Sequence, residues 1–270
     1  MRHEESRRSS PNTSSPRAAL GWAGVLSIGL AAALPAGAQE AEVPEAKTSR
    51  WGIGLGAAVI DRPYRDYDQE TKGLPIVYFE NRWTEINAGR FDFKINDSDV
   101  LNLRVRARYA MDGYDPEDSD YLQGMQERDD SIWAGAAVTW NSPFAEISAE
   151  YLVDVMDKSE GARGRVQAER RFGMGRFGLT PRVAAEWVDD KYVAYYYGVR
   201  PEEATLARPA YDGEGTANVE LGLRLDYSPA ERHTFFVDVA GTQFGDGIKD
   251  SPLLEQSRQT RISAGYLFRF

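Results

Sequence analysis

The residue types that enzymes use as nucleophiles and bases are scarce in this sequence. It has 2 His and no Cys, which excludes thiolate nucleophiles, disulfides and cysteine-based metal sites. Apart from His3, the histidine is His233, and a hydrolase would need it beside a carboxylate and a serine or water. Asp238 lies an odd number of residues farther along a predicted strand and so points to the opposite face. We expect no catalytic residue, and a barrel hydrolase centred on His233 is the weaker alternative.

Acidic side chains cluster in residues 112–130 and at Asp189-Asp190. Clustered carboxylates suit Ca²⁺ and Mg²⁺, but their spacing matches no calcium loop. Solvated acidic loops are therefore expected, with divalent-cation binding as an open alternative. The sequence predicts no metal site and no cofactor. A net charge of −10 also argues against a nucleic-acid partner.

Other charged residues recur at every second position, between apolar ones. Residues 101–109 place Leu, Val, Ala and Tyr on one face and Asn and Arg on the other, and residues 145–155 and 217–227 repeat this period. Such alternation is typical of a strand with one apolar and one polar face. The charged side chains would either pair and close a narrow lumen, which we favour, or form separated ladders in an open channel. The residues predicted to line this lumen are Arg104, Arg106, Arg108, Glu146, Glu150, Glu169, Glu220 and Arg224.

The alternating segments are long enough to cross a membrane. They span roughly 9–12 residues, close to the ~9–11 of a tilted transmembrane strand and longer than the ~5–6 common in soluble sheets. An apolar outer face and a charged inner face are those of an outer-membrane barrel. The predicted fold is all-β: a transmembrane antiparallel up-and-down β-barrel.

Counting the alternating segments in the sequence gives eleven. Bacterial single-chain barrels have an even number of strands, so one segment is miscounted. We place the error in residues 82–96, where Gly89 can form a turn, or in a hairpin within residues 189–215. About twelve strands are predicted, with ten as the alternative. Tight connections are expected on the periplasmic side near 141–143, 173–175 and 228–231, and long ones outside at 111–130, 189–215 and 245–258.

Both chain ends carry patterns that resemble export signals. Residues 1–38 combine an arginine-rich start, an apolar run and a small-residue stretch, the pattern of a signal peptide; a membrane-anchoring helix is the rival interpretation. Residues 39–50 are predicted to be a disordered periplasmic lead-in, which leaves the barrel in residues 51–270. The last strand ends in Tyr266, Phe268 and Phe270, which resembles the signal that the outer-membrane barrel assembly machinery recognises. We therefore expect the outer membrane of a Gram-negative cell, with membrane lipid and lipopolysaccharide as surroundings.

Four tyrosines open the longest predicted loop: Tyr192, Tyr195, Tyr196 and Tyr197. Tyrosine offers a large amphipathic contact area at low conformational cost, which makes these residues candidates for binding a partner. Packing within the loop, or a loop that plugs the barrel mouth, is the alternative.

Several stretches together resemble the MipA/OmpV family of outer-membrane proteins. They are residues 52–56 (GIGLG), 187–192 (WVDDKY), 195–199 (YYYGV) and 265–270 (GYLFRF). The resemblance extends over about residues 50–270, with the three consecutive tyrosines as a departure. It implies a non-enzymatic barrel that acts as a scaffold for murein-remodelling proteins, with a lytic transglycosylase and a penicillin-binding protein as partners. A narrow porin-like channel for small solutes is the alternative function.

Overall fold

The computed structural model describes residues 49–67 and 69–270. The signal peptide and most of the lead-in predicted from the sequence lie outside the described residues. The strand segments are β1 Arg50–Asp61, β2 Glu70–Glu80, β3 Thr84–Asn87, β4 Arg90–Lys94, β5 Leu101–Ala110, β6 Ser131–Asn141, β7 Glu146–Asp154, β8 Ala162–Glu169, β9 Phe172–Met174, β10 Phe177–Val188, β11 Thr216–Ala230, β12 His233–Gln243 and β13 Arg258–Arg269.

These segments close into an antiparallel barrel of twelve strands. Neighbours in sequence pair with one another, and the last strand, β13, pairs with β1 from Gly52↔Arg269 to Asp61↔Thr260. β8 and β9 are two parts of one strand, since both pair with β10. The break between them lies opposite Pro181, which has no N–H to donate to the ladder. The predicted fold class and the count of twelve are confirmed, and the alternative of ten is wrong.

The strand pair that completes the even number is the short hairpin β3–β4, within the segment 82–96 where the sequence count was uncertain. Its two turn residues, Ala88 and Gly89, have φ of 45° and 83°. Positive φ at both positions is the requirement of a tight primed hairpin turn, which glycine meets without strain. The pair is short: β2 contacts β3 only over Tyr78–Glu80.

The barrel wall follows the alternation that the sequence predicts. Apolar side chains such as Leu55, Leu103 and Leu221 are exposed on the outer surface, as a lipid-facing surface requires. Among the described residues, no helix is long and apolar enough to cross a membrane.

Short turns at one end and long loops at the other define the orientation of the barrel, because the short turns of such barrels are periplasmic. Two connections are tighter than predicted: β9 includes Gly173 and Met174, and β11 continues to Ala230. β11 contains Pro229 because its register shifts between Tyr227 and Ala230, and such irregularities tolerate proline.

The long outer loops contain helical turns that the sequence did not predict. They are the helices α1 Asp190–Tyr196 and α2 Asp246–Lys249, and the 3₁₀ turns Pro116–Asp118, Asp120–Leu122 and Pro201–Glu203. Asp189 caps α1, since its Oδ1 accepts a hydrogen bond from the N–H of Tyr192 at 2.9 Å. These elements carry the apolar core of the protein.

Candidate functional site

The eight charged residues predicted to line a lumen lie on the inward-facing positions of β5, β7, β8 and β11. The arginines of β5 meet carboxylates that the sequence argument did not pair with them. Asp92 on β4 is fully buried and accepts two 2.8 Å hydrogen bonds from Arg106. Arg104 binds Glu85 at 2.6 Å, and Arg106 also reaches Glu150 at 2.6 Å. Each of these two arginines is therefore neutralised by a carboxylate on the same side of the wall.

A second network lies on the opposite part of the wall. Arg182 on β10 binds Asp238 with both of its terminal nitrogens and reaches Glu220 through Nε at 3.1 Å. Arg165 on β8 donates to the same Glu220 oxygen at 2.8 Å. Charges of both signs are thus matched within each network, so the described residues do not form separated ladders of opposite charge.

Of the remaining predicted lumen residues, Arg108 lies near the outer end of β5, with its Nη1 3.1 Å from Glu150. The other three lie toward the periplasmic end. Arg224 donates through Nε to Asp226 at 2.9 Å. Glu169 accepts a 2.8 Å hydrogen bond from Gln167 and pairs in register with Glu146 on β7. Here too the polar groups bond along the wall rather than across the lumen.

The outer mouth of the barrel is filled by a packed cluster that we call the cap. It is built from the outer loops 111–130, 189–215 and 244–257 together with Tyr64, and it packs on Trp133, Leu152 and Val188, which point inward at the outer ends of their strands. Trp133, Tyr196, Ile248 and Leu253 are fully buried. At roughly 1.5–3 kcal/mol for each large apolar side chain removed from water, this packing is a strong stabilisation of a loop assembly. The cluster comprises Tyr64, Tyr114, Leu122, Met125, Trp133, Leu152, Val188, Tyr192, Val193, Tyr196, Tyr197, Val199, Phe244, Ile248, Leu253 and Leu254.

A buried ion pair joins two of the cap loops. Arg128 donates through Nη2 to both Glu203 oxygens, at 3.0 and 2.9 Å, and through Nε to the Tyr195 carbonyl at 2.7 Å. Burial alone would raise the pKa of Glu203, but the N–H groups of Gln126 and Arg200 and the Arg128 guanidinium together hold that pKa below its ordinary value. Both charges are therefore satisfied inside the cap.

The four loop tyrosines lie on α1 and just after it. Tyr192, Tyr196 and Tyr197 are buried in the cap, whereas Tyr195 is half-buried and packs against it. Burial raises the pKa of the Tyr192 phenol well above its ordinary value. Three of the four rings are therefore used in packing, which favours the plug alternative over an exposed binding surface.

The acidic loop 111–130 is also drawn into the structure. Asp112 binds Arg163 at 2.8 Å, and Asp130 accepts hydrogen bonds from Tyr109 and from the N–H of Gly113. In residues 49–67 and 69–270, no three or more His, Asp or Glu side chains are placed so that they could hold a metal ion.

His233 and the terminal aromatic residues meet on the lipid-facing side of the wall, at the periplasmic ends of β12 and β13. The His233 Nδ1 lies 2.8 Å from the Tyr266 hydroxyl, and its ring lies 5.2 Å from the Phe268 ring. Phe268 in turn packs edge-on against Phe270. Asp238 points inward to Arg182, so it does not face His233. The histidine belongs to the aromatic belt at the membrane boundary.

Below the cap lies a cavity of about 560 Å³. Its lining includes six arginines and four carboxylates: Arg108, Arg163, Arg165, Arg182, Arg224, Arg261, Asp112, Glu186, Glu220 and Asp238. Several of these residues, such as Arg163 and Arg182, were not predicted from the sequence. The period-two pattern of β8 and β10 was the signal that could have found them.

The sequence is similar to known outer-membrane proteins. The family described as "MltA-interacting protein MipA" matches residues 53–270. The putative outer membrane protein YiaT of Escherichia coli K12 is 26% identical over 83% of this chain and 93% of its own length. The MltA-interacting protein of the same strain is 24% identical over 91% of this chain and 98% of its own. The outer membrane protein OmpV of Vibrio cholerae is 24% identical over 82% and 87%. These names, together with the barrel, indicate the Gram-negative outer membrane.

Proposed function

The chain belongs to the MipA family, and from this premise we propose that it is a non-enzymatic outer-membrane scaffold for murein-remodelling proteins. The observation that supports this proposal best is the cap. A barrel whose outer mouth is filled by packed aromatic and aliphatic side chains, and whose lumen carboxylates and arginines form ion pairs along the wall, suits an anchor better than an open pore. One relative is named for an interaction with MltA, and a lytic transglycosylase or a penicillin-binding protein is the partner we propose for this chain.

The periplasmic end offers a docking face on two adjacent turns, residues 95–100 and 142–145. Asn141 joins them, since its backbone N–H donates to the Val100 carbonyl at 2.8 Å and its side chain donates to the Asp99 carbonyl at 3.1 Å. Phe144, in the neighbouring turn, is 77% exposed. An exposed aromatic residue next to polar turn groups is the kind of anchor on which protein contacts concentrate.

Site-directed cross-linking tests this proposal, because the chain has no Cys and any introduced thiol is unique. Ser142→Cys places a thiol in the periplasmic turn, and Leu206→Cys places a matched control in the outer loop 189–215, where Leu206 is fully exposed. The scaffold proposal expects cross-links to a murein hydrolase or synthase from position 142 and none from position 206. Equal cross-linking from both positions, or none from either, would count against it.

A narrow channel is the second candidate, favoured by the arginine-lined cavity. It predicts discrete conductance whose ion selectivity changes when Arg104, Arg106 and Arg108 are neutralised together. Two further contacts remain predictions from the sequence. They are contact with lipopolysaccharide and recognition of Tyr266, Phe268 and Phe270 by the barrel assembly machinery.

A further inference from the structure

The barrel wall has a gap in its outer half, between β2 and β5. β2 runs over Glu70–Glu80, but β3 pairs only with Tyr78–Glu80, so among the described residues positions 70–76 have no strand on that side. The turn of the β3–β4 hairpin ends at this level, where the Ala88 N–H donates to the Val77 carbonyl at 3.3 Å. The hairpin strands β3 and β4 therefore do not extend into the upper part of the wall. We call this gap the window.

The window is framed on all sides. Tyr109 at the end of β5 donates its N–H to Gly89 at 3.0 Å, which ties the far side to the hairpin turn. Above the gap, Arg62 donates to the Met111 carbonyl at 3.0 Å and to Glu70 at 2.8 Å. A frame held by such bonds is a built opening rather than a frayed edge.

The exposed edge of β2 is unsuited to pairing with another strand. The Val77 carbonyl points to the hairpin side of β2, where it accepts the Ala88 N–H at the lower edge of the window. Alternate residues of a strand direct their backbone groups to the same side, so Pro75 faces the window. Its ring replaces the N–H that an added strand would need. Proline at a free edge is a known protection against strand addition, so the window does not suit a docked peptide.

The cavity below the cap reaches the window. Leu74, Ile76, Ala88, Tyr109 and Ala110 line both. The wall beside the window is apolar, with inward-facing Ala58, Ile60, Leu74 and Ile76 on β1 and β2, whereas the facing wall carries the arginines. The space is therefore amphipathic.

Arg108 on the charged wall has donor capacity to spare. Its Nη1 lies 3.1 Å from Glu150, but its Nε and Nη2 are buried and have no hydrogen-bond partner among the described residues. Buried donors without partners are costly. Glu150 is already shared with Arg106, so an incoming anion would meet an incompletely neutralised guanidinium. The cavity lining as a whole has two more arginines than carboxylates.

From the window, the amphipathic cavity and the unpartnered Arg108 donors, we propose that the barrel binds a single-chain anionic amphiphile of the fatty-acid type, which enters sideways from the membrane. The carboxylate binds Arg108, and the hydrocarbon chain lies along Leu74 and Ile76 and leaves through the window. The cap blocks the outer mouth, so the side entrance is the route that an amphiphile partitioned in the membrane can use. This site is separate from the periplasmic docking face.

Binding is measured with refolded barrel in nonionic detergent, using cis-parinaric acid as a fluorescent fatty-acid probe. The proposal expects saturable binding that palmitate displaces. Hexadecanol, which has a similar chain and no charge, should compete at least about tenfold more weakly, since charge-assisted hydrogen bonds are worth that much. Inorganic phosphate should not displace the probe. Absence of saturable binding, equal competition by hexadecanol, or displacement by phosphate alone would overturn the proposal.

Two variants test the anion site and the window separately. Arg108→Gln should weaken binding by about tenfold or more, whereas Arg176→Gln, in an exposed periplasmic turn, should not change it. Leu74→Trp should obstruct the window and reduce probe binding, whereas Leu103→Trp, on the lipid-facing side of β5, should not. Heat-modifiable migration on gels verifies folding of each variant. If either Arg108→Gln or Leu74→Trp does not fold, the other test variant still tests the proposal. Wild-type binding by either folded test variant contradicts the assignment.

Discussion

Arg128 and Glu203 are 75 residues apart in sequence and form an ion pair inside the cap, in which Arg128 Nη2 donates to both carboxylate oxygens. Only 1% and 2% of their side chains are exposed. The pair ties the loop 111–130 to the loop 189–215, and Glu203 also accepts hydrogen bonds from the N–H groups of Gln126 and Arg200. A buried pair of this kind is destabilising when one partner is lost, because the other charge is left uncompensated.

Glu203→Gln should therefore loosen the cap without unfolding the barrel. The expected cost is about 3–5 kcal/mol of local stability, the range for breaking a buried ion pair. Hydrogen exchange or limited proteolysis should show faster opening of both joined loops, while the strands stay protected. Glu202→Gln is the matched control, since Glu202 is exposed on the same turn. Equal opening of the two variants would contradict a structural role for the pair.

Acid should have the same effect as this substitution. The pKa of Glu203 is lower in the folded cap than its ordinary value of 4.5, so the stabilisation is fully present above that value and is lost as the pH falls through the depressed pKa. Protease resistance of the cap should be constant from pH 7 down to about 5 and then decline. In Glu203→Gln this acid step should be absent, and a decline of equal size in that variant would assign it to another group.

Alkali should loosen the cap from the opposite direction. Burial is the main cause that raises the pKa of Tyr114 to about 12, and burial likewise raises the pKa of Tyr192 and Tyr196. An opened loop ionises its tyrosines near their ordinary value of 10, so cap stability should be complete below that pH and should fall above it. Ultraviolet titration of tyrosinate should show delayed ionisation of these residues, together with release of the cap. Ionisation of every tyrosine near pH 10 with the cap intact would contradict their burial.

Asp92→Asn should weaken the barrel itself. The change removes the carboxylate that receives two hydrogen bonds from Arg106 and lies 3.4 Å from Arg104. A loss of about 3–5 kcal/mol is expected for an uncompensated buried charge, read as a lower urea midpoint for unfolding from detergent. Asp120→Asn, in an exposed loop position, is the control and should leave the midpoint unchanged. An unchanged midpoint in Asp92→Asn would mean that the lumen network does not hold the wall.

The barrel wall could be predicted from the sequence because the alternation of apolar and polar residues within each strand identifies its two faces without information from other strands. The apolar residues from Leu101 to Tyr109 alternate with one asparagine and three arginines regardless of what surrounds them, and the inward direction of Arg104 and Glu220 follows from that period. The hairpin β3–β4 was harder to recognise because β3 has only four residues, too few to show a period.

The cap could not be predicted in this way. Its contacts join residues from separate loops, such as Tyr64 with the Tyr196 carbonyl at 3.1 Å and Ser251 with the Tyr197 carbonyl at 2.6 Å. No periodic pattern encodes such pairs. One local signal was present: Asp189 before an amphipathic run is an N-cap, and it marks the start of α1. The window was invisible for a related reason, since it arises from the short reach of one hairpin relative to its neighbours.

The cap closes the outer mouth of this barrel. Single-channel recording of the refolded wild-type barrel in a planar bilayer at neutral pH tests it most directly. We expect no discrete conductance steps while gel migration shows the folded, heat-modifiable form. Regular ion-selective steps from the wild-type protein, altered when Arg104, Arg106 and Arg108 are neutralised together, would contradict the closed scaffold and favour the channel.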